Sequence, residues 1–263
     1  MKRSIIIFML MGIGWAHQPV MDMAPRWAGG WGFQFRYETL GSNKLLDGES
    51  SNAGLSHYRK TTWFEGVYTW KRSIRATFKL PYHQIESKYQ LIDWGNPIEK
   101  GSGLGDLILA LPLKKYFNLK RSTGNFGLTP QIRLKTGDES NVIKSKSGYG
   151  LSLSYSAESF SFYQLYDIFG WIYSEKDPLL GLDINLGIHP YHDNVTNTGL
   201  FAIWDFTARW QESSVTIQTG PVFMTYRQNI MVRAEVKFPV IDYGKRSQLS
   251  KKLFMNVGIG FVF

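Results

Sequence analysis

The chain has 263 residues, of which 43% are hydrophobic, 15% aromatic and 19% charged, with a formal net charge of +9 and a mean hydropathy of −0.21. It contains no cysteine, which excludes a disulfide framework and a thiolate metal site. The one long apolar run, Ile5 to Gly14, is too short for a spanning helix, which needs about 20 residues, and amphipathic stretches of helical period are missing.

Residues 1–16 read as a signal for Sec export. Lys2 and Arg3 form the basic start, Ile5 to Gly14 the apolar stretch, and Gly14-Trp15-Ala16 a small-x-small cleavage site. Residues 17–28 form a short lead-in to a single domain spanning 17–263. His17 would become the new N-terminus. Its α-amine and imidazole, with the thioethers of Met21 and Met23, are the sole low-grade candidates for a metal site, suited to copper at the mouth of the domain. The plainer reading is a proline-containing segment that packs against that mouth; no cofactor is expected.

From there the apolar period is two. Trp31, Phe33, Phe35 and Tyr37 alternate with Gly32, Gln34, Arg36 and Glu38, which predicts a first strand over about Gly29 to Leu40. The second runs from Tyr58 to Trp70. The third puts Ile74, Ala76, Phe78 and Leu80 opposite Arg75, Thr77 and Lys79. The fourth, Gly103 to Tyr116, carries Leu107, Leu109, Leu111 and Leu113 on one parity. The fifth sets Leu128, Pro130, Ile132 and Leu134 against Thr129, Gln131, Arg133 and Lys135. Then come Gly148 to Ser156, Phe160 to Ile172 with blurred parity, Leu179 to Ile188, Gly199 to Trp210, Val215 to Met224 and Asn229 to Phe238. The twelfth, Leu253 to Phe263, has six apolar residues on one parity and Asn256, Gly258 and Gly260 on the other.

Twelve is an even number, as a single-chain bacterial barrel requires. The fold expected is all-β: a transmembrane, antiparallel, up-and-down β-barrel of about twelve strands. With both ends in the periplasm, the longer connections (41–57, 88–102, 137–147, 240–251) face outward and the turns at 71–73 and 157–159 face inward; the connection at 189–198 breaks the rule. Trp63, Trp171 and Trp210 at outer strand ends, with Trp70 and Tyr116 at inner ends, suggest two aromatic girdles. Phe261 and Phe263 lie on the lipid-facing parity of the last strand, whose pattern is similar to the C-terminal signal read by the outer-membrane barrel-assembly machinery. The localisation expected is therefore the bacterial outer membrane, among lipid and lipopolysaccharide, with no nucleic-acid partner.

If the apolar parity meets lipid, the other parity lines the lumen. Its basic members are Arg36, Arg75, Lys79, Lys114, Arg133, Lys135, Arg209, Arg233 and Lys237. Its acidic members are Glu38, Glu65, Asp106, Asp183, Asp205 and Glu235. Charges of both signs in a narrow barrel are expected to pair into a lattice. Twelve strands leave room for a small channel or a plugged pocket.

Three stretches taken together carry a resemblance. They are Gly101-Ser-Gly-Leu-Gly-Asp106, Thr129-Pro-Gln-Ile-Arg-Leu-Lys-Thr-Gly-Asp138 and Gly148-Tyr-Gly-Leu-Ser-Leu-Ser154. Their order resembles the outer-membrane barrel family of the phenol meta-cleavage degradation pathway, with Lys135 standing where that family usually has proline. The resemblance marks Gly103, Gly105, Asp106, Gly137 and Asp138 as motif residues. It implies a transporter-like channel for hydrophobic or aromatic solutes; with no stretch that reads as a plug domain or a nucleotide motif, passage is expected to be passive. Tyr58, Trp63, Tyr89 and Trp94 are the aromatic surfaces such a solute could meet on the outer side.

Two other classes compete with a channel. One is a structural barrel. The other is a barrel lipid hydrolase, which needs a serine within reach of a histidine. His83, near Glu86 and Ser87, is the one histidine placed for that role, and a loop histidine is the plainer reading. The chain is therefore read as a non-enzyme.

Overall fold

The computed structural model describes residues 28–42, 44–45, 56–88, 98–119, 122–139, 145–159, 161–174, 177–193, 195–211, 214–244, 249–250 and 253–263. The proposed leader, His17, Met21, Met23, Tyr89 and Trp94 lie outside them. Twelve strands follow one another: β1 (Gly30–Ser42), β2 (Ser56–Lys71), β3 (Ile74–Lys88), β4 (Ile98–Leu104, Leu107–Ala110 and Leu113–Leu119, one strand interrupted twice), β5 (Ser122–Leu134), β6 (Gly148–Ser159), β7 (Phe162–Tyr173), β8 (Leu179–Asp193), β9 (Thr198–Gln211), β10 (Ser214–Arg227), β11 (Ile230–Tyr243) and β12 (Phe254–Val262). Each pairs antiparallel with the next, and β12 pairs with β1, from Gly32↔Val262 to Leu40↔Phe254. The sheet is closed, so no edge strand is left to aggregate. A two-residue ribbon, Lys44–Leu45 with Leu249–Ser250, joins two of the connections.

Closure is completed at the chain's end. Trp31 N donates to the Phe263 carbonyl at 3.0 Å, and Phe263 N donates to the Trp31 carbonyl at 2.7 Å. This end, with the turns after β2, β8 and β10, is the near end; the longer connections lie at the far end. β2 has 16 residues, about 53 Å of strand at 3.3 Å per residue. Tilted, it still exceeds an apolar band about 25 Å tall, so strands project beyond it.

The alternation read from the sequence holds around most of the wall. Leu153, Ile168 and Val257 are 58%, 55% and 56% exposed and point outward, while their neighbours Ser152, Asp167 and Asn256 point in. A continuous exposed apolar belt of this extent is not a surface for water. Among the described residues no helix is long and apolar enough to cross a membrane.

Three features depart from the sequence reading. In β4, Tyr82 faces Leu104 and Lys79 faces Ile108, so one extra residue is inserted at Gly105-Asp106. This bulge keeps both Leu104 and Leu107 on the outer face. In β8 the register shifts between Ile188 and Tyr191, where Pro190 lacks an N–H. The strand then continues to Asp193 and β9 begins at Thr198, so the connection is short, with 195–197 in a turn, and is not the long 189–198 link. Finally, part of the inner wall is apolar. Tyr163, Phe201, Ile203, Val222, Met224, Tyr226, Met231 and Val262 form a buried cluster, with Leu165 against it, toward the near end of β7 and β9–β12. This explains the blurred parity of β7, which is apolar on both faces.

Candidate functional site

Beside that cluster the interior is polar and open. A cavity of about 350 Å³ is lined by residues from β1 to β7 and from β11. Side chains from eight strands can meet around one space only inside the barrel. Gln34, Arg36, Glu65, Arg75, Thr77, Lys79, Lys114, Gln131, Ser152, Asp167 and Arg233 supply its polar wall, and Val67 and Leu165 its apolar part.

The charges inside are mostly paired. Arg36 Nη2 lies 2.8 Å from Glu65 Oε1 and 3.4 Å from Glu38 Oε1, and Lys79 Nζ stands 3.9 Å from the same Glu65 oxygen. Arg209 meets Asp183 at 2.8 Å. Glu235 gathers Arg233 at 3.0 Å, Lys237 at 2.7 Å and the Asn256 amide at 3.0 Å; Lys237 also reaches Asp205 at 2.7 Å. Asp167 accepts the Ser152 hydroxyl at 2.6 Å. Arg75 donates to the Tyr116 hydroxyl at 3.2 Å. Such pairs offset part of the desolvation each charge suffers and fix the cross-strand register. Lys135 differs from the rest of its group. It follows the end of β5 and its ammonium is 2.8 Å from Glu139, so it belongs to the far connection and not to the lumen.

The motif residues converge at the far end of β4 and β5. Asp106 is buried in the β4 bulge. It accepts Arg133 Nε at 2.8 Å, Gly137 N at 3.1 Å, Lys146 N at 2.9 Å and the Ser145 hydroxyl. Asp138 accepts Leu104 N at 2.7 Å and returns its own N–H to the Leu104 carbonyl at 2.8 Å. The glycines make the contact close. A Cβ on Gly103 would stand 2.6 Å from Asp138 Oδ2, and one on Gly137 would stand 2.8 Å from the Gly105 backbone. Two segments 31 or more residues apart are thus clamped together at the rim.

Aromatic residues are redistributed. Trp63 faces inward, with Arg36 5.8 Å over its ring and His83 edge-on at 6.5 Å. Trp171 also faces inward, against Gly150, and Tyr116 points to Arg75. All three were expected in girdles. Alternation decides their side: each shares parity with inward polar neighbours on its own strand. The near-end girdle is instead built from Trp31, Tyr68 and Trp70, whose rings lie 4.5 Å and 5.3 Å apart in sequence.

His57 and His83 are engaged structurally. His83 Nδ1 contacts Thr61 Oγ1 at 3.0 Å, and Glu86 turns to Lys100 at 3.1 Å. The nearest serine–histidine contact is His57 Nδ1 to Ser87 Oγ at 2.8 Å, but Ser87 is only 3% exposed, which closes its oxygen to an ester. Among the described residues no group of three or more His, Asp or Glu could hold a metal ion. Sequence reasoning missed the inward side of Asp167 on β7 and of Trp63 on β2, the two strands whose alternation is irregular.

No family model matches the sequence, and no curated protein matches it. Solved structures do resemble it. The COG4313 outer membrane channel from Pseudomonas putida F1 is 14% identical, with a TM-score of 0.71, covering 90% of this chain and 96% of that one. The KdgM porin is 10% identical, with a TM-score of 0.51, covering 88% and 99%. The β domain of the Bordetella autotransporter BrkA is 12% identical, with a TM-score of 0.50, covering 89% and 100%. At such identities the likeness establishes the barrel fold.

Proposed function

We propose that the chain is an outer-membrane channel through which small solutes pass by diffusion. The observation that carries this reading is the cavity of about 350 Å³ enclosed by the strands. The exposed apolar belt would meet lipid and lipopolysaccharide, and β12, ending on Phe261 and Phe263, would be read by the barrel-assembly machinery. The likeness of the Gly103–Asp106 and Gly137–Asp138 motifs to the phenol meta-cleavage barrels supports a small, aromatic cargo, and the inward Trp63 ring gives such a solute a face to lie on. Liposomes containing the purified protein should take up phenol and toluate faster than empty liposomes.

A structural barrel is the second reading. The apolar cluster filling the near-end interior on the β9–β12 side favours it. Uptake equal to that of empty liposomes for all probes would select it.

A further inference from the structure

The cavity wall is unbalanced in charge. Five cationic side chains line it, Arg36, Arg75, Lys79, Lys114 and Arg233, against two carboxylates, Glu65 and Asp167, with Glu38 beside Arg36 and Glu235 beside Arg233 behind the wall. Both carboxylates are engaged. Glu65 is held by Arg36 at 2.8 Å with Lys79 standing 3.9 Å off, and Asp167 accepts from Ser152 at 2.6 Å. Donors are in excess as well. The Nε atoms of Arg36 and Arg233 are buried with no hydrogen-bond partner among the described residues. A buried donor without an acceptor costs free energy that a bound acceptor recovers. Val67 and Leu165 face the same space and offer an apolar surface.

We infer that this cavity binds small organic anions, carboxylates carrying a compact apolar body, and that the channel favours anions over cations. The second half rests on the channel reading above; the binding site does not. The carboxylate would sit among Lys79, Lys114 and the arginines, where the net positive charge attracts it and the long side chains can move to it. The apolar body would lie toward Val67 and Leu165. Lys79 is the most adaptable of these groups, since it is 46% exposed and its carboxylate contact is long.

Two measurements separate the site from the channel. In planar bilayers under a salt gradient, the reversal potential of the wild type should have the sign of anion preference. It should move toward cation preference in Lys79→Glu and, less far, in Lys79→Gln. Lys100→Gln, which removes an ion pair with Glu86 outside the cavity, should leave it unchanged. In nanodiscs of deuterated lipid, saturation-transfer NMR should detect benzoate but not benzyl alcohol, and the benzoate signal should fall in Lys79→Gln with Lys114→Gln. Each variant is first checked for the heat-modifiable mobility of a folded barrel. Charge-dependent benzoate binding without any current would remove the channel reading and uphold the site. Current without anion preference, together with benzoate bound no better than benzyl alcohol, would overturn the inference.

Discussion

Arg133 and Asp106 are joined at the far rim: the arginine Nε donates to Asp106 Oδ2 at 2.8 Å, tying β5 to the bulge in β4. The same carboxylate also holds Gly137 N, Lys146 N and the Ser145 hydroxyl, so one buried side chain organises the far connection. Asp106→Ala removes the shared acceptor of these four donors, and breaking a buried ion pair costs about 3–5 kcal/mol. Asp106→Asn keeps one acceptor oxygen and should lose roughly 1–3 kcal/mol. The thermal midpoint of the heat-modifiable band should fall in that order. Equal midpoints for wild type and Asp106→Ala would show that the cluster contributes nothing.

Gly137 is held against the backbone of Gly105, which cannot turn aside as a side chain can. Gly137→Ala should therefore destabilise by about 1–3 kcal/mol through overpacking. Gly170 faces open space, with the nearest atom 3.9 Å from an added Cβ. Gly170→Ala should be close to neutral in the same thermal assay. A reversed order would mean that the two rim segments do not pack as described.

Leu128 and Thr129 are neighbours on β5 with opposite fates. Leu128 points outward from the middle of the strand, and Thr129 lines the cavity. Arginine facing hydrocarbon near the midplane costs about 2–4 kcal/mol. Leu128→Arg should lower the yield of folded barrel in detergent or lipid far more than Thr129→Arg, whose guanidinium enters a wet space across from Ser152 and near Asp167. Similar losses would place the lipid boundary elsewhere.

Phe263 has two roles that substitution can separate. Its backbone closes the barrel with Trp31, and its exposed ring extends the outward parity of β12. Phe263→Ala keeps the backbone bonds, so a fall in outer-membrane barrel with unchanged export would be assigned to recognition of the ring. Unchanged barrel yield would remove the ring from that role.

The wall was legible in the sequence where one face is apolar and the other small or polar. β1 and β12 are the clearest cases: Trp31 to Tyr37 alternate without a break, and Leu253 to Phe263 do so apart from Phe254 and Val262. Legibility failed where both faces are apolar. Tyr163 and Leu165 face inward on β7 while Ile168 and Ile172 face outward, and period-two patterns cannot separate two apolar sets. It failed again at bulges, because the extra residue at Gly105-Asp106 and the shift at Pro190 alter parity without a distinctive local signal. Among the charges expected in the lumen, Arg36 meets Glu65, Arg209 meets Asp183 and Lys237 meets Glu235, whereas Lys135 lies one residue beyond β5. The clamp between Asp106 and Arg133 was not legible, since it depends on the register between β4 and β5. Its traces in the sequence were Asp106 and Asp138 set among the glycines Gly103, Gly105 and Gly137.

Single-channel recording with a filled cavity tests the central claim most directly. Thr129→Trp places an indole into the cavity of about 350 Å³ without changing charge or the lipid face. Wild-type protein in a planar bilayer should open in discrete conductance steps, and Thr129→Trp should give clearly smaller steps from an equally stable barrel. Wild-type membranes as silent as protein-free ones, or steps of the same size in both proteins, would contradict passage through the barrel interior.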